Sequence, residues 1–312
     1  MQFSSVVLSR NQAFLSDSYG SNGTYQNNGG GAAYFNFVNA LMEATFTDVI
    51  FMDNFVNATN SIGLDTVNGG GAMYLVSEHG MLSLSGLLVG DNVALVDSAS
   101  SASLTNNGGG GVLVVGKVSL STNISDCVVE HNTLSARNSL GLSVVSNGGG
   151  GIMLSSDALQ FSVSGTTFAN NSVEADYSTS GNTNFNGGGG LYAVSTGTHA
   201  AATMSQCYLI LNRVSAVFND ASYSNLNGGG GLLLISLSSG QVQFEGINAL
   251  YNFANVSSAS SQSVNNNGGA GMSLFHMHCG KWFLMELYRR LGDYAAEFER
   301  RSAELHWNKQ SD

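Results

Sequence analysis

Asp53, Asp91 and His131 are the residues of this 312-residue chain whose types and spacing most resemble an acid–base set. They lie 38 and 40 residues apart. If those intervals are turns of one stacked coil, the two carboxylates fall on adjacent coils, roughly 5 Å apart, near the separation found in retaining glycosidases. Like charges that close compete for a proton, and His131 one level along could exchange it. The same pair, Asp53 and Asp91, could instead hold a calcium ion through hard oxygen ligands. The full column reads Arg10, Asp53, Asp91, His131, Asn170, Leu211 and Tyr251. No compact set of partners surrounds the three, so an outward, solvated face accounts for them as well.

Other reactive types are scattered. NGGGGLYAVS (Asn186 to Ser195) has the glycines of a phosphate loop, but Leu191 and Tyr192 stand where a lysine and a hydroxyl residue would have to follow. SEHG (Ser77 to Gly80) reads as a solvated turn, and HMHC (His276 to Cys279) as a junction without a second ligand pair. Cys127 and Cys207 share an inward column two coils apart, roughly 9 to 10 Å, beyond the reach of a disulfide. They are expected to be buried free thiols. With Cys279 they make three cysteines, too few for a disulfide framework.

The elements that would position these residues repeat. Glycine blocks start at Gly29, Gly69, Gly108, Gly148, Gly187, Gly228 and Gly268, with spacings of 40, 39, 40, 39, 41 and 40. A fixed period near forty marks a stacked repeat. About 24 residues after each of the first six blocks stands an asparagine, Asn54, Asn92, Asn132, Asn171, Asn212 or Asn252, and Asn11 holds the same column ahead of the first block. Three and five residues before it the columns are mostly apolar, and two residues after it the column is Ala13, Val56, Ala94, Leu134, Val173, Val214 and Ala254. Positions two apart share one face of a strand. The pattern predicts an all-β, right-handed parallel β-helix of about seven coils over residues 1–272, its hand expected from strand twist. Each asparagine is expected to bond to its equivalent one coil away, and the glycines to occupy sharp turns where a Cβ has no room. A second possibility splits each repeat into two smaller coils. Segments of about fifteen residues, such as RVSAVFNDASYSNLN (Arg213 to Asn227), are polar and constant in length, and read as stacked loops along one side.

GGGAMY (Gly69 to Tyr74), FMDN (Phe51 to Asn54) and FANN (Phe168 to Asn171) resemble the GGA-aliphatic and FxxN repeats of chlamydial polymorphic outer membrane proteins and, more broadly, the pectin-lyase-like β-helix proteins. The resemblance covers residues 1–272 and departs from those patterns in using GGGG in most units and Phe in only some. It implies a secreted or surface-exposed chain, either a structural and adhesive module presenting polar loops to glycan or protein partners, or a polysaccharide hydrolase or lyase. Sequons at Asn22, Asn57, Asn123, Asn170 and Asn255 suit such an address in a eukaryote.

Composition narrows the remaining classes. The net charge is -11, and only Arg10, Lys117, Arg137 and Arg213 are basic before residue 273, which argues against nucleic acid. No apolar run reaches the eighteen residues of a transmembrane helix. The start, MQFSSVVLSR, lacks a signal-peptide pattern and aligns within a coil, as an N-terminally truncated chain would. No cofactor is implied apart from the calcium alternative. Residues 273–312 change character: Phe283, Leu287, Leu291, Ala295 and Phe298 recur at helical spacing between charges, predicting a short amphipathic α-helix from Trp282 to Trp307 that caps the last coil or is foreign sequence.

Overall fold

A computed structural model gives the fold. It describes residues 1–287 and 307–308, except 17–24, 60–61, 98, 138–139, 142–143, 177–178, 181–182, 218–219, 222–223, 237–239, 258–259, 262–263, 268–270 and 279–280. The chain is an all-β parallel solenoid. One turn shows the plan: a short strand Val128–Glu130, a five-residue strand Thr133–Arg137, the pieces Leu140–Gly141 and Val144–Gly148, then a long strand Ile152–Ser164. Each pairs in parallel with its counterparts one turn before and after, giving four walls that we call short, five-residue, fourth and long. The short and five-residue walls each contain seven described strands. Partners lie one full repeat apart, as in Val89 with Val129 and Val129 with Phe168, so each forty-residue unit makes one large turn and not two small ones.

The walls form because inward positions alternate with outward ones at the strand period. Phe51, Val89, Val129, Phe168 and Leu209 point inward from the short wall and meet Phe46, Leu84, Ile124, Val163 and Met204 from the long wall in the main core. From Met73–Ser85 onward, the start of each long strand is buried on both faces, as at Met73 to Val76, Val112 to Val115 and Leu191 to Val194. Val112 and Val114 join the main core, whereas Leu113 and Val115 turn the other way and pack with Val67 and Phe185 of the fourth wall in a second apolar layer. Val56, Ala94, Leu134, Val173 and Val214 form a third, smaller cluster behind the five-residue wall.

The glycine block has a steric cause in this cross-section. It carries the chain from the fourth wall to the long wall past the start of the five-residue wall, and an added Cβ at Gly110 would come within 2.5 Å of the Thr133 carbonyl carbon. Gly109 holds φ at 61°, a left-handed conformation that glycine adopts without a Cβ clash. A second close approach explains an alternation along the turn before the short wall, where Asp48, Gly86, Asp126, Gly165, Gln206 and Gly246 follow one another at φ 52° to 63°. Each acidic or amide side chain there leans over the glycine of the next turn, so a Cβ at Gly86 would run into the Asp48 carboxylate and one at Gly165 into that of Asp126.

Asparagines line both sides of the glycine block. In the expected ladder, Asn92 donates through Nδ2 to Asn132 Oδ1 at 2.9 Å and to the Phe51 carbonyl at 3.0 Å, and its backbone N–H donates to the same Oδ1 at 3.1 Å. Asn11, Asn54, Asn132, Asn171, Asn212 and Asn252 continue the pattern. A second ladder was not expected. Asn28, Asn68, Asn107, Asn147 and Asn186, each just before a glycine block, bond Nδ2 to Oδ1 at 2.7 to 3.0 Å and are buried.

Two expectations are corrected. The segments read as polar loops are strands: Arg213–Val217, Asp220–Ala221 and Ser224–Gly228 belong to the five-residue and fourth walls. Their polarity misled because the fourth wall buries an asparagine ladder. The tail is not helical where it is described: Lys281–Leu287 is a strand antiparallel to Met272–His278, with Leu274 opposite Met285. An open parallel edge offers backbone donors and acceptors that a local helical preference does not outweigh. Residues 288–306 of the expected helix lie outside the described residues.

Asn132→Ala and Asn147→Ala are each expected to lower unfolding stability by about 1–3 kcal/mol, because each removes a donor and an acceptor from a buried column. Urea denaturation followed by far-UV circular dichroism measures it. Loss at Asn132 with no change at Asn147 would show the second ladder to be energetically idle.

Candidate functional site

The corner between the short and five-residue walls takes two residues per turn. The second is the buried ladder asparagine, and the first is Arg10, Asp53, Asp91, His131, Asn170, Leu211 or Tyr251, every one left-handed with φ between 53° and 58°. Asp and Asn tolerate that conformation better than most residues, so the corner itself favours the polar types found in the lower turns. The structure does bring Asp53, Asp91 and His131 onto successive turns. Their backbone N–H groups donate upward to the carbonyls of Gly90, Glu130 and Ala169 at 3.2, 3.2 and 3.0 Å. Their side chains are exposed, and the Asp53 carboxylate lies 3.8 Å from the Arg10 guanidinium in a pair open to solvent on both sides. In water such a pair contributes about 0–1 kcal/mol. The corner is a ridge, and none of the three residues lines the groove described below. Among the described residues no three His, Cys, Asp or Glu side chains cluster as metal ligands.

The other reactive candidates are placed as follows. SEHG is not a turn: Ser77 to Gly80 lies inside the long strand Met73–Ser85, where pairing to the next strand shifts register between Gly116 and Ser119. There His79 Nδ1 is 2.9 Å from Ser119 Oγ at the surface. His276 to His278 fall in the strand Met272–His278, and Cys279 lies outside the described residues. Cys127 and Cys207 are buried free thiols, as expected, with Thr166 on the turn between them. Each thiol donates to the carbonyl two residues before it, at 3.1 and 3.2 Å. Burial pushes the Cys127 thiol up to about 11 and raises Cys207 as well, with backbone hydrogen bonds opposing the shift.

The concave site lies elsewhere. A groove of about 510 Å³ runs along the outer face of the second halves of the long strands. Two outward columns line it: Glu43, Met81, Ser121, Gln160 and Ala201, and beside them Thr45, Ser83, Asn123, Ser162 and Thr203. The intervening residues Ala44, Leu82, Thr122, Phe161 and Ala202 are buried below. A third column follows at the strand ends, where Ser125 donates to Ser85 Oγ at 3.2 Å. The result is an open surface of hydroxyl and amide groups repeated every turn, about 4.8 Å apart. It was legible as strict alternation in TFT (Thr45 to Thr47), SLS (Ser83 to Ser85), NIS (Asn123 to Ser125), SVS (Ser162 to Ser164) and TMS (Thr203 to Ser205). Attention to charged residues passed over it, because the groove is built of neutral groups with Glu43 at one end. No protein-family model, curated protein or solved structure matches the chain.

The buried thiols generate a pH prediction. Cys127 titrates near 9 when unfolded and about 11 when folded, so between those values the native state holds more protons. Its contribution is therefore fully present below pH 9 and is lost as pH rises through about 11, on the order of 2–3 kcal/mol in all. Urea midpoints for the parent and Cys127→Ala should converge over that window. In parallel, in a Cys279→Ser background a disulfide reagent at pH 8 should leave Cys127 and Cys207 unmodified until denaturant is added; rapid labelling of that variant in its native state would contradict the burial.

Proposed function

We propose that this chain is a structural and adhesive β-solenoid module of a secreted or surface-exposed protein, and that it binds glycan along the long-wall groove. The observation that carries the reading is that groove: concave, crossing five turns, and lined by hydroxyls, two carboxamides and the Glu43 carboxylate over a largely apolar floor that includes Met81 and Ala201. Sugars present hydroxyls and C–H faces in alternation, and neutral donors and acceptors at fixed spacing satisfy them without a charge requirement. The repeat direction suits an extended chain more than a compact ligand, since equivalent groups recur along the axis. Likeness of GGGAMY and FMDN to the polymorphic outer membrane protein repeats supports the surface address. The segments expected to be polar binding loops are strands, and the groove takes their place as the binding element.

Catalysis is the weaker reading. Its best candidates, Asp53, Asp91 and His131, stand on an exposed ridge where water competes for every charge. A calcium site at Asp53 and Asp91 has the same exposure and no third acidic or histidine ligand among the described residues.

Immobilised linear polysaccharides and a glycan array provide the test. Retention without new reducing ends or unsaturated uronates is expected, and the paired substitution Asn123→Ala with Gln160→Ala should weaken it about 10- to 100-fold through loss of two or more hydrogen bonds. Turnover abolished by Asp91→Asn would overturn the proposal in favour of a carbohydrate-active enzyme.

A further inference from the structure

We infer that the glycan taken by the long-wall groove is cationic, a linear chain of amino sugars, and that carboxylates on the two banks of the groove select it. This rests on the glycan reading above and adds the ligand's charge to it. Among the described residues the groove lining holds no Lys, Arg or His and one carboxylate, that of exposed Glu43. Nothing in that lining compensates a uronate or a sulfated sugar.

The banks of the groove are acidic. On one side Asp48 follows Thr45 by three residues and Asp126 follows Asn123 by three, both exposed where the long wall gives way to the short wall. On the other side Glu78 precedes Met81 by three residues and Asp157 precedes Gln160 by three, each standing in a register shift of the long strands. Asp157 is exposed and Glu78 half-buried. Three residues of strand span about 10 Å, so each carboxylate stands roughly one Debye length from the groove at physiological salt. One turn above the lining residues, exposed Glu245 stands over Ser205 in the third column.

Balancing charges are few. Of the basic residues before residue 273, Arg10 stands at the corner, Arg137 and Arg213 belong to the five-residue wall, and Lys117 alone lies on the long wall, on the turn between those of Glu78 and Asp157. At the lower end the Met1 ammonium donates to the Glu43 main-chain carbonyl at 2.8 Å. His79 also faces the Glu78 bank, with Nδ1 2.9 Å from Ser119 Oγ. The carboxylates of Glu43, Asp48, Glu78, Asp126, Asp157 and Glu245 outnumber these cations, and the net charge of -11 adds to their field.

An amino sugar matches this layout twice. Its ring presents hydroxyls and C–H faces to the hydroxyl columns and apolar floor, and its ammonium, recurring with every sugar, meets a negative potential from either bank. Polyuronates and sulfated chains meet the same potential with the wrong sign. A basic peptide shares the charge but not the fit, because an extended peptide draws its affinity from backbone hydrogen bonds at a free sheet edge. The groove lies instead on a sheet face whose strands are paired with the turns before and after.

Calorimetric titration of the full chain at about pH 6, where amines are protonated and carboxylates ionised, tests this with hexamers of glucosamine, N-acetylglucosamine and galacturonate. The glucosamine hexamer is expected to bind about tenfold or more tightly than its N-acetylated twin, and the galacturonate hexamer not to bind. The gap between the first two should shrink from about 20 mM to about 500 mM salt as screening sets in. Glu78→Gln together with Asp126→Asn should narrow it to about threefold or less, a ratio that a general loss of fold would not change in this way. A gap indifferent to those substitutions would place the selecting charges elsewhere and sink the inference. Equal affinity for the first two hexamers, or galacturonate bound as tightly, would overturn it while leaving the glycan reading in place, whereas binding of none of the three would remove both. Hexalysine bound more tightly than the glucosamine hexamer would reassign the banks to a basic peptide and equally refute the amino-sugar assignment.

Discussion

A carboxamide buried where water does not reach must find both its acceptors and its donors within the protein, and a stack of identical turns provides them only in one register. Asn132 shows the constraint in full. Its Oδ1 accepts from both the backbone and the side chain of Asn92, while its own Nδ2 donates to Asn171 and to the Val89 carbonyl. A slip of one residue along any strand would turn these groups toward solvent or into apolar core, leaving several unpaired. The two ladders flank the glycine block, so the narrowest part of the cross-section is also its most strictly hydrogen-bonded part. Everything outside inherits that register.

The inheritance explains why outer surfaces are organised as columns. Once turns are locked about 4.8 Å apart, any side chain on one turn has its equivalent directly above and below. Neighbours in a column must then accommodate each other, as the Asp and Gly alternation from Asp48 to Gly246 shows. Hydroxyl and amide columns line the groove, and left-handed corners make the ridge.

The sequence disclosed the scaffold more readily than the site. The period, the inward columns and one asparagine ladder could be read because burial and pairing demand the same residue type at the same position in every turn. The second ladder, just before the glycines, was equally periodic but was absorbed into segments that looked like polar loops. Polarity is an ambiguous sign there, since a buried amide column and a solvated loop draw on the same residues. The tail was misread for a related reason: KWFLMEL is short enough to suit either a helix or a strand, and the open sheet edge decides. For the candidate site, charge singles out Asp53, Asp91 and His131 in the sequence, whereas the concave surface is lined by Ser, Thr, Asn and Gln together with Glu43, Met81 and Ala201.

By itself the sequence determined the repeat length, the inward faces, the burial of Cys127 and Cys207, and the placing of Asp53, Asp91 and His131 on successive turns. These follow from periodicity, because equal spacing along the chain becomes vertical alignment once turns stack. Only the tertiary structure decided which outward columns are hollow and which protrude. Concavity depends on how neighbouring walls and strands are set against one another, and the pairing of the long strands shifts register between Gly116 and Ser119, which the repeat alone does not disclose. The left-handed corner likewise became visible only with backbone geometry, which sets Asp53, Asp91 and His131 at φ of 53° to 56° with exposed side chains.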